Sequence, residues 1–271
     1  MNRRILGFYR ETQYSPGRHQ TNDVLLLEGV ADLLRKEGIP IDLTTFESGN
    51  TEPPAASLVV SMLQGREALE HLLTWSRSGV RIINRPQAAL NTHRDRLPEL
   101  MVAAGIPFPQ TYLVRTEEDV DLVARDLPPK IWLKRGDVHA SVATDVQWIV
   151  SRERLKVGLA EFVRRGIELA VLQAHRAGDE IKFYGVGPEG FFHWFYSGAT
   201  RKNPFDLAEL RSLAAHAAAA AGLDIFGGDV IVSPTGELTL IDLNDWPSFA
   251  PCREPASRAI ADLLIRRLDA D

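Results

Sequence analysis

Three oxygen-bearing side chains sit inside apolar runs in the last quarter of the sequence. Asp229 lies in FGGDVIV, and Asp242 and Asn244 lie in LTLIDLND. A bare carboxylate among apolar residues is costly, so each needs a partner, a cation or a metal. Asp242 and Asn244 are two apart and share one face of an extended strand. The intervening Ser233-Pro234-Thr235-Gly236 predicts a hairpin turn. A loop of two or four residues sets Asp229 opposite Leu240 and diagonally beside Asp242, about 7–8 Å away on the same face. A three-residue loop turns Asp229 to the other face and abolishes that geometry. In the first case two carboxylates and an amide form a hard oxygen site of the kind Mg²⁺ takes, with waters and shared phosphate oxygens. The plain alternative is that these are ordinary strand-end and turn residues.

Holding such a hairpin requires a scaffold, and the rest of the chain reads as alternating strands and helices. Ile5 to Tyr9 predicts a buried strand. Asp23 to Lys36 carries apolar residues at helical spacing and stops at Gly38 and Pro40. Strands at 41–45, 58–62 and 80–84 and a helix at 65–78 complete a small α/β unit with a largely parallel sheet. That unit lacks G-x-G-x-x-G after its first strand, which weakens a dinucleotide-binding reading. Helices are expected at 92–104, 151–165, 207–221 and 254–268. Further strands are expected at 130–134, 138–143, 146–150, 168–173, 181–186, 191–196, 226–232 and 237–243.

Composition narrows the function classes. The 271 residues include 31 basic and 36 acidic side chains, a formal net charge of -5. A general nucleic-acid binder would carry a basic excess. With 45% apolar and 25% charged residues, the chain has the profile of a soluble globular protein. Its one cysteine, Cys252, permits no intrachain disulfide and no cysteine-rich zinc site. This fits a reducing cytoplasm. No apolar run approaches the roughly 20 residues of a membrane span, and the stretch after Arg3 and Arg4 is too short for a signal peptide. The expectation is a cytoplasmic protein without nucleic-acid or membrane partners.

Four segments together resemble the ATP-grasp superfamily, which includes D-alanine–D-alanine ligase, glutathione synthetase and the ribosomal-protein glutamate ligases. Gly227-Gly228-Asp229 followed by Asp242-Leu243-Asn244-Asp245-Trp246-Pro247 is similar to the family's G-x-D and E-x-N-x-x-P. HRDRLPELMVAAGIPFPQT resembles its D-K…G-I-P-x-P-x-T segment. IWLKRGD resembles its second lysine strand, and VLQAHRAGDEIKFYGVG its hinge. The likeness runs over residues 80 to 268, in the family's order and spacing. It implies an ATP-grasp fold, α/β with an α+β C-terminal part, behind a Rossmann-like domain. The units would be 1–90, 91–174 and 175–271.

The resemblance also implies roles. Arg96 and Lys134 would bind ATP phosphates, Arg96 standing where the family has lysine. Leu172, Gln173, Ala174 and His175 would form the adenine hinge. Glu180 would bind ribose, with its neighbour Asp179 as the alternative. Lys182 and Arg201 would face phosphate and substrate as catalytic cations, with Asn203 assisting. Asp229, Asp242 and Asn244 would bind one or two Mg²⁺ ions, Mn²⁺ serving as well. Asp242 is one methylene shorter than the family's glutamate. The phosphate-covering loop RGDVHASVATD has Gly136 alone, so His139 or Ser141 would supply donors. Arg18, His19 and Asn22, after the first strand, are substrate-site candidates. Cys252 reads as a structural thiol.

The implied activity is ADP-forming ligation of a carboxylate to an amine or thiol through an acyl phosphate. Substrates would be small molecules or peptides, and a homodimer is allowed. The rival readings are an ATP-binding module without turnover and an ATP-grasp kinase acting on a small molecule.

Overall fold

The computed structural model describes residues 3–15, 18–48, 52–118, 127–137, 142–187, 190–198 and 202–270, the side chains of 18 and 19 excepted. Short apolar runs build β1 (Ile5–Phe8), β2 (Ile41–Thr44), β3 (Leu58–Ser61) and β4 (Ile82–Ile83). They pair in parallel in the order β2-β1-β3-β4. A parallel sheet needs both faces covered. Helix α1 (Arg18–Lys36) covers one face through Leu27, Val30 and Leu34. Helix α2 (Arg66–Arg77) covers the other through Leu69, Leu72 and Trp75. Helix α1 ends at Gly38, whose φ of 75° suits glycine. It begins five residues before the expected start, since its first turn is polar and leaves no apolar trace.

Two antiparallel sheets follow. The first holds β5 (Thr111–Arg115), β6 (Ile131–Arg135), β7 (Val146–Ile149) and β8 (Leu169–Ala174) in the order β5-β8-β6-β7. The second holds β9 (Asp179–Val186), β10 (Phe191–Tyr196), β11 (Ile225–Val232) and β12 (Leu238–Asp245) in the order β10-β9-β11-β12. Each buries one face under a helix. Helix α5 (Arg152–Arg164), capped by the Ser151 hydroxyl, packs Leu155, Leu159 and Phe162 on the first sheet. Helix α6 (Leu207–Ala221), capped by Asp206 and closed by Gly222, packs its alanine stripe on the second. The other faces are left to meet each other.

The fold class is as the sequence predicts, with three local differences. The helix expected at 92–104 is shorter, α4 (Leu97–Ala103), and a helix that was not expected, α3 (Pro86–Asn91), precedes it. Each has proline in its first turn, where proline favours a helix start, and the turn between them carries His93, Arg94 and Asp95. Strand β5 escaped the periodicity because prolines crowd its approach. Of the strand expected at 138–143, residues 138–141 lie outside those described, and Ala143–Asp145 is a 3-10 turn.

The core crosses the expected 1–90 and 175–271 units. Helix α7 (Arg253–Asp269) packs Ile260, Leu264 and Leu268 in one cluster with α1 and the parallel sheet. Trp246 and Phe249, just after β12, belong to the same cluster.

Candidate functional site

The hairpin of β11 and β12 decides whether the oxygen ligands converge. Val232 pairs with Leu238, and Ser233 N–H donates to the Glu237 carbonyl at 2.9 Å. The loop between the last paired residues is therefore three residues, the odd length expected to turn Asp229 away. A β-bulge restores the geometry. The register shifts between Val230, opposite Leu240, and Asp229, opposite Asp242, so Ile241 is the extra residue. Asp229 and Asp242 thus face each other directly rather than diagonally. Glycines make the approach possible. A Cβ on Gly228 would lie 2.6 Å from the Asp242 carbonyl oxygen, and one on Gly227 would lie 2.8 Å from Pro247 and Tyr184.

These residues line a cavity of about 620 Å³ between the two antiparallel sheets and the end of the parallel one. Lys134, Glu180, Lys182, Asp229, Asp242 and Asn244 all line it, as do Gln173, Ala174 and His175. Period-two alternation places them: Lys182 lies opposite Asp229 across β9 and β11. Lys182 Nζ is 2.8 Å from Asp229 Oδ1 and 3.2 Å from Glu180 Oε1. Burial works against the Lys182 charge, but Asp229 and Glu180 outweigh it and hold its pKa above the usual lysine value. Burial likewise raises the Asp229 carboxyl, against the pull of Lys182. Lys134 is buried, and desolvation lowers its pKa to about 8 even though Asp242 favours its charge. The carbonyl of the bulged Ile241 accepts from Lys134 Nζ at 3.4 Å and from Gln173 Nε2 at 3.2 Å. The bulge therefore also ties one sheet to the other.

Some expected residues lie elsewhere. Arg96 does not line the cavity; Arg94 does, two residues earlier. Arg94 Nη2 donates to Asp242 Oδ2 at 2.8 Å, while Arg96 is the residue flanking the start of α4. The sequence has arginine at both positions, and only the path of the turn selects one. Leu172 is fully buried in the core beneath α5, on the opposite face of β8 from Gln173. The N–H groups of Ala174 and His175 already donate to Gln110 and Lys130, so the hinge does not offer those two to a ligand. Asp179 accepts from Asn203 N–H at 2.6 Å, and Asn203 Nδ2 donates to the Val232 carbonyl; neither lines the cavity. Asn22 accepts from Arg253 at 2.6 Å and is not in the lining. Arg201, His139 and Ser141 lie outside the described residues, as do the side chains of Arg18 and His19. Cys252 is buried, and burial pushes its thiol up to about 11.

Other lining residues carried no motif. At one end Trp132 faces the cavity, its indole N–H donating to His175 Nδ1 at 3.3 Å. At the other end Arg10 Nε donates to Asp23 Oδ2 at 2.9 Å, and the Ser15 hydroxyl reaches the same oxygen at 2.6 Å. Asp245, buried between the Asn84 and Gln64 amides, completes that end. The position of Arg10 at the carboxyl end of β1, where open parallel sheets bind ligands, was the available signal.

The donor set suits a hard cation. Two facing carboxylates and an amide oxygen offer oxygen ligands only. Among the described residues no three His, Cys, Asp or Glu side chains converge as a ready cage. A cation held there would need further ligands, as Mg²⁺ takes from phosphate and water.

No family model matches the chain, and no curated protein matches it in sequence. Solved structures do match its fold. D-alanyl-alanine synthetase A from Vibrio cholerae superposes with a TM-score of 0.74 at 10% identity, covering 98% of each chain. A RimK-domain ATP-grasp protein from Sphaerobacter thermophilus gives 0.70 at 15%, covering 97% of this chain and 99% of that one. The D-alanine–D-alanine ligase of Bacillus anthracis complexed with ATP gives 0.70 at 12%, covering 98% of each. The chain has the ATP-grasp fold over nearly its whole length.

Proposed function

We propose that this chain is an ATP-dependent ligase that joins a carboxylate to an amine or thiol, forming ADP. The observation that carries this reading is the composition of one cavity. Lys134, Lys182 and Arg94 provide three cations beside Asp229, Asp242 and Asn244, between two sheets arranged as in ATP-grasp ligases. Lys134 and Arg94 would bind the phosphates, with Lys182 beside the transferred group. Glu180 would hold ribose hydroxyls, and Trp132, Gln173 and His175 would surround the base. Asp229, Asp242 and Asn244 would hold Mg²⁺, which when bound would add positive charge at the phosphate oxygens. The acceptor would lie at the Arg10, Asp23 and Asp245 end.

In this reading a substrate carboxylate oxygen attacks the γ-phosphorus as the bond to ADP breaks, giving an acyl phosphate. The amine or thiol then attacks the carbonyl carbon, phosphate leaves, and the nucleophile loses its proton. The cations stabilise charge that builds on the transferring group, and the cavity holds the reactants in line. Arg201 would serve at the same step. No side-chain nucleophile is required, consistent with a buried Cys252.

The test is thermal melting with ATP plus Mg²⁺, ATP plus EDTA and no ligand, on wild type and Asp242→Asn. A ligand at 100 times its Kd adds about 2.7 kcal/mol to the folded state. A Mg²⁺-dependent rise absent from the variant is expected, followed by ADP release in a screen of carboxylate and amine pairs. No shift at millimolar ATP overturns the reading. Phosphorylated product without ligation would replace it with a kinase.

A further inference from the structure

The cations and the metal-type ligands of this cavity are already bonded to each other. Asp229 is held by Lys182 at 2.8 Å, and Asp242 by Arg94 at 2.8 Å. The side chains of Arg94 and Asp242 are only 7% and 10% exposed. Arg94 is also incompletely satisfied. Its Nε and Nη1 are buried and have no hydrogen-bond partner among the described residues. Unmet N–H groups on a buried guanidinium are costly; these two point to opposite sides of the group and form no single fork, since Nη2, shared by both forks of the guanidinium, is the atom on Asp242.

We propose that Lys182 and Arg94 exchange partners on binding, leaving Asp229 and Asp242 for phosphate oxygens, so that divalent-cation binding is conditional on nucleotide. This rests on the nucleotide reading above. The argument is one of charge. A divalent ion arriving alone meets two carboxylates whose charge is neutralised and two cations about 3 Å away. A triphosphate arriving alone draws off the cations and leaves two carboxylates facing it, Asp242 buried and Asp229 half-buried. Arriving together, each ligand takes the partner the other has displaced. The coupling is reciprocal, as any linkage between two binding events must be.

The test uses Mn²⁺ as the metal probe and AMP-PNP as the nucleotide, on the full chain. Free Mn²⁺ is read by electron paramagnetic resonance, and labelled AMP-PNP by equilibrium dialysis with Mn²⁺ or with EDTA. Wild type should bind Mn²⁺ weakly without nucleotide, and AMP-PNP at least about tenfold more tightly with Mn²⁺ than with EDTA. Lys182→Met should bind Mn²⁺ alone at least about tenfold more tightly than wild type, because it removes a like charge beside the ion. Adding Asp229→Asn to that variant should abolish the gain. Arg94→Lys, which keeps the charge but not the guanidinium's donors, should weaken AMP-PNP, and its melting temperature without ligand separates that loss from unfolding. Unchanged or weaker Mn²⁺ binding in Lys182→Met overturns the exchange, as does AMP-PNP affinity in wild type that ignores Mn²⁺. Failure of AMP-PNP to bind any form would instead overturn the nucleotide reading.

Discussion

At the scale of single residues, the cavity works through charge held at low exposure. Lys134 is the sensitive case, because burial brings its pKa to about 8. Phosphate favours its charged form, so binding must supply a proton above that pH. ATP affinity should therefore fall about tenfold for each unit of pH above 8, and Lys134→Met should be weak and flat over the same range. Equilibrium dialysis at pH 7, 8 and 9 measures this. His93 tests the opposite limb of the scale. Burial lowers its pKa from 6.5 to about 4, and neither ring nitrogen has a partner among the described residues. The unfolded chain takes up the proton first, so stability from this group is whole above pH 6.5 and is lost as pH falls toward 4. The loss is at most about 3 kcal/mol. His93→Leu should change stability little at pH 7 and reduce that acid sensitivity, as read from urea midpoints at pH 5 and 7.

At the scale of elements, the hairpin shows how a site can depend on one irregular residue. The three-residue loop and the bulge at Ile241 each shift register by one, and together they leave Asp229 and Asp242 on one face. Backbone proximity then restricts Gly228, where a Cβ would meet backbone and the Phe183 ring at 2.6 Å. Gly228→Ala should cost about 1–3 kcal/mol by urea denaturation, the usual range for overpacking. Gly198→Ala, with no described atom within 4 Å of its added carbon, should be tolerated at little cost by the same measurement.

At the scale of the molecule, the metal-type strand is anchored in the first sheet. Immediately after Asn244, the Asp245 side chain accepts from Asn84 and Gln64, and the Trp246 carbonyl accepts from Arg10. The Trp246 ring is fully buried in the cluster that also joins α1 to α7. Trp246→Ala should cost about 3–5 kcal/mol. A fragment of residues 1–90 should stay unfolded by circular dichroism, since it lacks α7 and Trp246, which cover one face of its sheet. A folded fragment would show that the first sheet needs neither.

Much of this was legible in the residues themselves. Alternating apolar runs, Gly38 and Gly222 as helix stops, and the Gly227–Asp229 and Asp242–Pro247 motifs specify local features that short-range sterics and periodicity control. They marked most of the strands, the antiparallel hairpin and the oxygen-bearing side chains that line the cavity. They could not tell whether Arg94 or Arg96 lines the cavity, since both arginines stand in one turn whose path depends on how α3 packs on α2 and α4 on α6. They did not reveal the bulge, because an extra residue in a strand looks like any other apolar position. Nor did they place Arg10, Asp23 and Asp245 in one cavity, because residues more than 200 positions apart meet only when burial of α7 and Trp246 closes the chain on itself. Sequence determined which side chains could do the chemistry; the tertiary packing decided which of them meet.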